Sequence, residues 1–242
     1  MKGNHTYIIA EIGQNHNGDI ELAKKLIDMA AMPIFDTFGD RRLPPVDAVK
    51  FCKRDLSEEL TREEMNRPYT GQHSFGATYG EHRAKLEFDY KQYRELERYA
   101  RSKGLDFIVT LCSPKTLKLL DYVKLDHIKV ASRDLTNIPL LEAIAKTKIP
   151  VILSRGMSDG KELDTAIKTI CKYHSKISIL HCISEYPAQY ENLNILSIKA
   201  LEKKYGKKFT IGYSDHSIGI VPPVLAVAHG AKIIEKHITL NR

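Results

Sequence analysis

The sequence predicts an α/β fold, a (β/α)8 barrel of the TIM-barrel class forming a single domain over residues 1–242, and three observations lead there. Eight short apolar runs rich in Val and Ile alternate with longer segments of helical period, the pattern of strand–helix units around a parallel sheet. The length of 242 residues suits one such barrel, which commonly runs to about 250. No Gly-x-Gly-x-x-Gly element follows the first strand, which weakens the open, dinucleotide-binding alternative.

In chain order, the first strand is expected at residues 7–11 and is followed by a helix at 20–30. An insertion at 31–46, punctuated by Pro33, Gly39, Pro44 and Pro45, leads to the second strand at 48–51. A longer insertion, 53–88, separates it from the third strand at 107–110 and is long enough to fold over the barrel top as a lid. The helix at 90–103 precedes that third strand. The fourth strand, 127–131, is followed by a helix at 139–146, the fifth, 151–154, by one at 160–173, and the sixth, 177–181, by one at 195–205. The seventh and eighth strands fall at 210–213 and 232–235. Gly104 and Gly206 stand just past two of the helices, where a residue tolerant of positive φ closes a helix at low cost. The sequence stops at Arg242, so the last barrel helix is expected to be missing or incomplete.

Composition narrows the function. With 43% hydrophobic and 28% charged residues, 14 Gly, 10 Pro and 4 Cys, the chain is an ordinary globular protein rather than a disordered, collagen-like or disulfide-stapled one. The formal charge of +7 is spread, with no run of five or six basic residues; the densest stretch, residues 203–208, reads as a solvated helix end. A nucleic-acid partner is therefore not expected, and a field that steers an acidic metabolite is. The apolar run Tyr7-Ile8-Ile9-Ala10 is too short for a signal-peptide core or a membrane span, so a cytoplasmic protein with no membrane partner is expected. Cys52, Cys112, Cys171 and Cys182 form no Cys-x-x-Cys pair, which points to reduced thiols rather than a zinc site or disulfides.

In such barrels the chemistry sits at the carboxyl ends of the strands. Here those ends carry Glu11, Lys50, Thr110, Lys129, Ser132, Asp134, Ser154, Arg155, His181, Ser184, Tyr186, Ser214, Asp215, His216, Glu235, Lys236 and His237. Lys50 and Lys129 lie inside apolar strands and need anionic partners. Two alternatives stand: internal ion pairs with Glu11 or Glu235, or a phosphate or carboxylate ligand held by both lysines and the hydroxyls of Thr110, Ser132, Ser154 and Ser214. His216 and His237 fall at one level on neighbouring strands. As a pair they suit a catalytic divalent ion with positions open to water and substrate; singly, each would be a hydrogen-bonded rim residue. His181 is expected to be a packed interior histidine. There is no Gly-x-Ser-x-Gly elbow and no cysteine in a nucleophile context, so electrophile activation and anion binding are favoured over a triad.

Taken in order, Ala10-Glu11-Ile12-Gly13-Gln14-Asn15-His16-Asn17-Gly18, Asp47-Ala48-Val49-Lys50-Phe51, Ile128-Lys129-Val130-Ala131-Ser132, Asp134-Leu135-Thr136-Asn137, Pro150-Val151-Ile152-Leu153-Ser154, Leu180-His181-Cys182, Glu185-Tyr186-Pro187, Gly212-Tyr213-Ser214-Asp215-His216-Ser217 and Glu235-Lys236-His237 resemble the sialic acid synthase (N-acetylneuraminate synthase) family. The match is to its barrel domain, without the C-terminal antifreeze-like domain. The resemblance implies a transferase that condenses phosphoenolpyruvate with the open-chain aldehyde of an N-acylated amino sugar such as N-acetylmannosamine, giving a 2-keto-3-deoxy nonulosonic acid and phosphate. It implies a divalent metal, commonly Mn2+ with Mg2+ or Co2+ as alternatives, on His216 and His237. It also implies phosphoenolpyruvate contacts at Lys50, Thr110, Lys129, Ser132, Ser154 and Ser214, with Glu11 as acid/base near the reacting carbons. Asp134 and Tyr186 match positions on the sugar side, and Ser184 joins them as a substrate-binding candidate. A homodimer is implied, or a separate chain supplying the C-terminal domain. The chain departs from the family pattern at Cys52, at Leu111-Cys112, at Arg133 and at Arg155. The two arginines keep open a synthase for a phosphorylated aldose, and the missing C-terminal parts keep open a non-catalytic barrel that binds an acidic metabolite.

Overall fold

The computed structural model describes residues 5–35 and 42–241. Among them, β1 (Tyr7–Gly13) leads through α1 (Ile20–Ala30) to a two-stranded antiparallel ribbon, β2 (Ile34–Phe35) with β3 (Arg42–Leu43), and then to β4 (Ala48–Lys53). Gly39 and the rest of 36–41, at the centre of the first insertion, lie outside the described residues. The second insertion forms three short helices, α2 (Leu56–Glu59), α3 (Arg62–Asn66) and α4 (Tyr79–Lys85). There follow α5 (Tyr90–Ser102), β5 (Asp106–Leu111), β6 (His127–Val130), α6 (Ile138–Lys146), β7 (Val151–Arg155), α7 (Gly160–Cys171), β8 (Ile177–Cys182), α8 (Ser197–Tyr205), β9 (Thr210–Asp215), α9 (Val221–Ala228) and β10 (Ile233–His237).

Eight of the strands close a parallel barrel in the order β1-β10-β9-β8-β7-β6-β5-β4, so the expected fold class is the observed one. All eight expected strands are present, each within a few residues of its expected bounds. The helices begin where acidic or amide caps satisfy the first free N–H groups: Asp19 for α1, Asp89 with Gln92 for α5, Asn137 for α6 and Asp159 with Glu162 for α7. Gly104 closes α5 with φ of 78°, as expected. Gly206 corrects the expectation: it remains right-handed, φ −60°, and its N–H continues the helix by donating to the Glu202 carbonyl at 2.8 Å. Several helical pieces were not anticipated: α2, α3 and α4 of the second insertion, 3-10 helices at Pro114–Asp121, Ser132–Asp134 and Tyr190–Asn192, and the uniformly apolar α9. No helix follows β10 among the described residues. Nor is any described helix long and apolar enough to cross a membrane.

The strand alternation builds the site. Outward-facing residues such as Val49, Phe51, Phe107, Val109, Leu153 and Ile179 pack under the helices. Inside, Ile9, Ala48, Ile108, Ile152, Leu180 and Ile233 form a second apolar cluster that plugs the barrel. Because side chains repeat every two residues along a strand, the next inward layer is Glu11, Lys50, Thr110, Ser154, Cys182 and Glu235. The polar layer thus rests on a dry floor.

Candidate active site

Above that floor lies a cavity of about 310 Å³. Its walls carry Glu11, Lys50, Thr110, Lys129, Ser132, Ser154, Tyr186, Ser214, His216 and His237, so ten of the twelve expected site residues converge on it. Glu235, Cys182, Cys52 and Arg54 complete the charged and sulfur-bearing lining.

Four charged groups alternate at the bottom. Lys50 Nζ lies 2.6 Å from Glu11 Oε2 and 3.6 Å from Glu235 Oε2, and Lys129 Nζ lies 3.7 Å from Glu235 Oε1. The internal ion pairs are therefore formed. The hydroxyls join the same network: Lys50 donates to Thr110 Oγ1 at 3.1 Å, Lys129 to Ser154 Oγ at 2.6 Å, and Ser214 to Glu235 Oε1 at 2.7 Å. Glu11 Oε2 and Glu235 Oε2 are buried without an aligned hydrogen-bond donor, so their balance rests on the charge of Lys50.

The environments of the two carboxylates diverge. Burial raises the Glu11 carboxyl above the ordinary range by more than Lys50 lowers it. Burial also acts on Glu235, but Lys129 and Lys50 outweigh it and hold this carboxylate at about 2. Lys50 is pushed up despite its burial, because it faces both carboxylates, whereas burial dominates at Lys129 and pulls its ammonium down. One carboxyl poised to exchange a proton beside one held ionised is the division that acid–base chemistry needs.

The two histidines meet at the mouth, with ring centroids 6.0 Å apart. His216 presents Nδ1 to the Ile183 carbonyl at 2.6 Å, so a proton on Nδ1 leaves the Nε2 lone pair facing inward, where the Tyr186 hydroxyl donates to it at 2.9 Å. The His216 loop is fixed by Asp215, whose carboxylate accepts from Tyr213, from the Ser217 N–H and hydroxyl, and from Lys236. Desolvation lowers both imidazoles, so both are neutral donors near pH 7. Gly13, at φ 54°, leaves the gap between Glu11 and His237: a Cβ there would come within 2.8 Å of Glu11 Oε1 and 3.6 Å of His237 Cε1. This donor set fits a divalent ion with two protein ligands and open positions, since a carbonyl holding the far ring nitrogen is the usual way to aim a ligating imidazole. No group of three or more His, Cys, Asp or Glu able to hold a metal occurs among the described residues.

Two expected site residues fall outside this lining. Asp134 sits in a short 3-10 turn and faces a neighbouring cavity of about 460 Å³ together with Arg133, Glu58 and Glu59. Ser184 stands behind Ser132, their hydroxyls sharing a 2.8 Å hydrogen bond. Of the two arginines expected near a second phosphate, Arg133 is occupied by Glu59 at 2.7 Å and by Asp134 at 3.4 Å, and Arg155, following inward Ser154, lines neither cavity. Arg54 was missed; it comes from the second insertion and nothing local marks it. His181 is the packed interior histidine expected, 1% exposed and bonded to the Leu193 carbonyl at 2.8 Å.

Known proteins resemble this chain over nearly its whole length. A family model described as the NeuB family matches residues 44–242. The chain is 39% identical over 236 residues to N-acetylneuraminate-9-phosphate synthase of Homo sapiens, covering 98% of this chain and 62% of that protein. It is 36% identical over 245 residues to N,N'-diacetyllegionaminic acid synthase of Campylobacter jejuni, covering 98% and 68% respectively. The crystal structure of N-acetylneuraminic acid synthetase from Leptospira borgpetersenii in complex with citrate superposes with a TM-score of 0.79 at 36% identity, over 99% of this chain and 75% of that one. The chain thus spans about three fifths of the length of the human relative.

Proposed function

The chain belongs to the NeuB family, and from that premise we propose that its barrel condenses phosphoenolpyruvate with the open-chain aldehyde of an N-acylated amino sugar, releasing phosphate and a nonulosonic acid. The observation that carries the reading is the pair of buried ammonium groups, Lys50 and Lys129, set among Thr110, Ser132, Ser154 and Ser214 in one cavity above an apolar floor.

Charge sets the roles. With Glu11 protonated, Lys50 and Lys129 outweigh Glu235 by one positive charge, and a divalent ion on His216 and His237 brings the cavity to about three, enough to match the phosphate and carboxylate of phosphoenolpyruvate. Lys50 and Lys129 hold those anionic groups, and the hydroxyls of Thr110, Ser132, Ser154 and Ser214 turn toward them as donors. The ion, when bound, supplies Lewis-acid polarisation of the aldehyde. The enol C3 then forms the new carbon–carbon bond to the aldehyde carbon as Glu11 gives its proton to the aldehyde oxygen. Water adds at C2 and the now ionised Glu11 takes its proton; the C–O bond to phosphate then breaks, and the phosphate leaves with the C2 hydroxyl proton as the ketone forms. Tyr186, at the exposed mouth, orients the sugar.

Phosphate release from phosphoenolpyruvate, with and without N-acetylmannosamine and with and without Mn2+, tests this directly. Release that needs both the sugar and the ion supports it, and none with any hexosamine from folded protein removes it.

A second reading concerns the acceptor. Arg54 shares Glu59 with Arg133, at 2.8 Å through Nη1, but its Nε and the Nη2 of Arg83 are buried without hydrogen-bond partners, and Arg54 lines the cavity. These guanidinium groups favour a phosphorylated amino sugar over a neutral one, and the ratio of kcat/KM for N-acetylmannosamine 6-phosphate to that for N-acetylmannosamine decides between them.

A further inference from the structure

Cys52 and Cys112 take no part in the chemistry above, yet the barrel brings them together across 60 residues of sequence: their Sγ atoms are 3.4 Å apart. The pairing of β4 with β5 explains how. Cys52 is the register partner of Thr110 and Lys53 that of Leu111, and the Cys112 N–H donates to the Lys53 carbonyl at 3.2 Å, so both thiols project from one end of the sheet onto one face. Cys52 follows Lys50 by one inward step and lines the active-site cavity, while Cys112 lines the neighbouring cavity, so the pair forms part of the wall between them.

The two sulfurs are not equivalent. The contact with Cys112 lowers the Cys52 thiol most, and the Arg54 guanidinium and the Lys50 ammonium lower it further, against burial and the charge of Glu87, which raise it. Cys112 is pushed the other way, by its contact with Cys52 and by burial. With the sulfurs 3.4 Å apart, Cys52 is the better placed to attack an oxidant, since it is half-buried and lines the active-site cavity while Cys112 is buried. The remaining cysteines lack such a partner, Cys171 being exposed on α7 and Cys182 buried in the cavity wall. A soft-metal role for the pair is not supported, because no set of three or more ligating side chains forms among the described residues.

We propose that Cys52 and Cys112 are an oxidant-sensitive dithiol, a modification site at which a small hydroperoxide drives closure to a disulfide across the ends of β4 and β5. The Cys52 thiolate attacks one peroxide oxygen; the O–O bond breaks, the leaving oxygen takes a proton as water, and Cys52 becomes a sulfenic acid. The Cys112 sulfur then attacks the Cys52 sulfur, the S–O bond breaks, and the hydroxyl leaves with the Cys112 proton as a second water. Two thiols and one hydrogen peroxide thus give one disulfide and two waters. Closure shortens the sulfur separation to about 2.05 Å and withdraws from the cavity the thiolate that Arg54 and Lys50 face. This inference does not depend on the reaction assigned to the cavity.

The test uses the reduced chain, treated with a few equivalents of hydrogen peroxide at pH 7, unfolded in denaturant with N-ethylmaleimide, digested and weighed. The expected result is a peptide pair joined through Cys52 and Cys112, a chain lighter by about 2 Da, reversal by dithiothreitol, and formation about tenfold faster than loss of the Cys171 thiol. In Cys112→Ser the cross-link disappears and dimedone labels Cys52, whereas Cys52→Ser gives neither cross-link nor dimedone label at Cys112. If wild-type Cys52 and Cys112 both emerge alkylated while Cys171 or Cys182 is oxidised, the pair is a packing contact and the proposal is wrong.

Discussion

Lys50 Nζ lies 2.6 Å from Glu11 Oε2, between residues that are register partners on adjacent parallel strands. The contact holds a charge in the barrel interior while no anion is bound, and it places the raised Glu11 carboxyl beside the ammonium proposed to hold substrate. Glu11→Gln keeps the shape and removes the proton exchange. Turnover is expected to fall by about a hundredfold or more with little change in the KM for phosphoenolpyruvate. An unchanged kcat would take Glu11 out of the acid–base role.

Lys129 and Glu235 are the other buried pair, each only a few per cent exposed. Lys129→Met leaves Glu235 with Lys50, 3.6 Å away, as its one remaining ion-pair partner among the described residues and is expected to cost about 1 to 3 kcal/mol in denaturant unfolding. Adding Glu235→Leu removes that under-compensated carboxylate and is expected to restore most of that stability without restoring phosphoenolpyruvate binding. If the double variant is no more stable than the single one, the two side chains are not coupled as described.

Tyr186 donates to the His216 nitrogen that a metal ion would need. Tyr186→Phe frees that lone pair and is expected to tighten Mn2+ binding about fivefold by calorimetry, the equivalent of roughly 1 kcal/mol for one competing hydrogen bond. His216→Ala is expected to abolish binding. Weaker Mn2+ binding in Tyr186→Phe would mean that the hydroxyl supports the ion rather than competing with it.

His16 is 1% exposed, stacks on Phe88 at 4.1 Å and accepts the Gly18 N–H at 3.0 Å. Burial holds its imidazole at about 4, against an ordinary value of 6.5. Between those values the unfolded chain binds a proton that the folded chain refuses, so stability is full above the unfolded value and is lost as the pH falls toward 4, by about 3 kcal/mol from this group. Unfolding free energies of wild type and His16→Asn, measured from pH 7.5 to 4, are expected to converge as the pH falls. Parallel curves would show that His16 protonates freely in the fold.

The strands were legible because each carries its own apolar run, and the site because period two places Lys50, Thr110 and Ser154 directly above Ala48, Ile108 and Ile152. The helix α9 was not legible: Val221-Pro222-Pro223-Val224-Leu225-Ala226-Val227-Ala228 is apolar on all sides and has no 3.6-residue stripe to read. Gly206 was misread because a glycine after a helix does not fix φ; the helical hydrogen bond simply continued for one more residue. Asp134, which the resemblance matches to the sugar side with Tyr186, stands apart from Tyr186, because the 3-10 turn after β6 carries it toward Glu59 and Arg133 in the neighbouring cavity. Contacts such as Cys52 with Cys112 and Tyr186 with His216 depend on closure of the barrel and have no local sequence signal.

The central claim is that the cavity above the apolar plug cleaves the C–O bond of phosphoenolpyruvate while joining it to an amino sugar. Phosphoenolpyruvate labelled with heavy oxygen in the C–O–P bridge, incubated with the chain, Mn2+ and N-acetylmannosamine or its 6-phosphate, tests this in one mass-spectrometric measurement. A new 2-keto-3-deoxy acid is expected, with the label in the released phosphate. No release from folded chain, or label retained in the organic product, would contradict it.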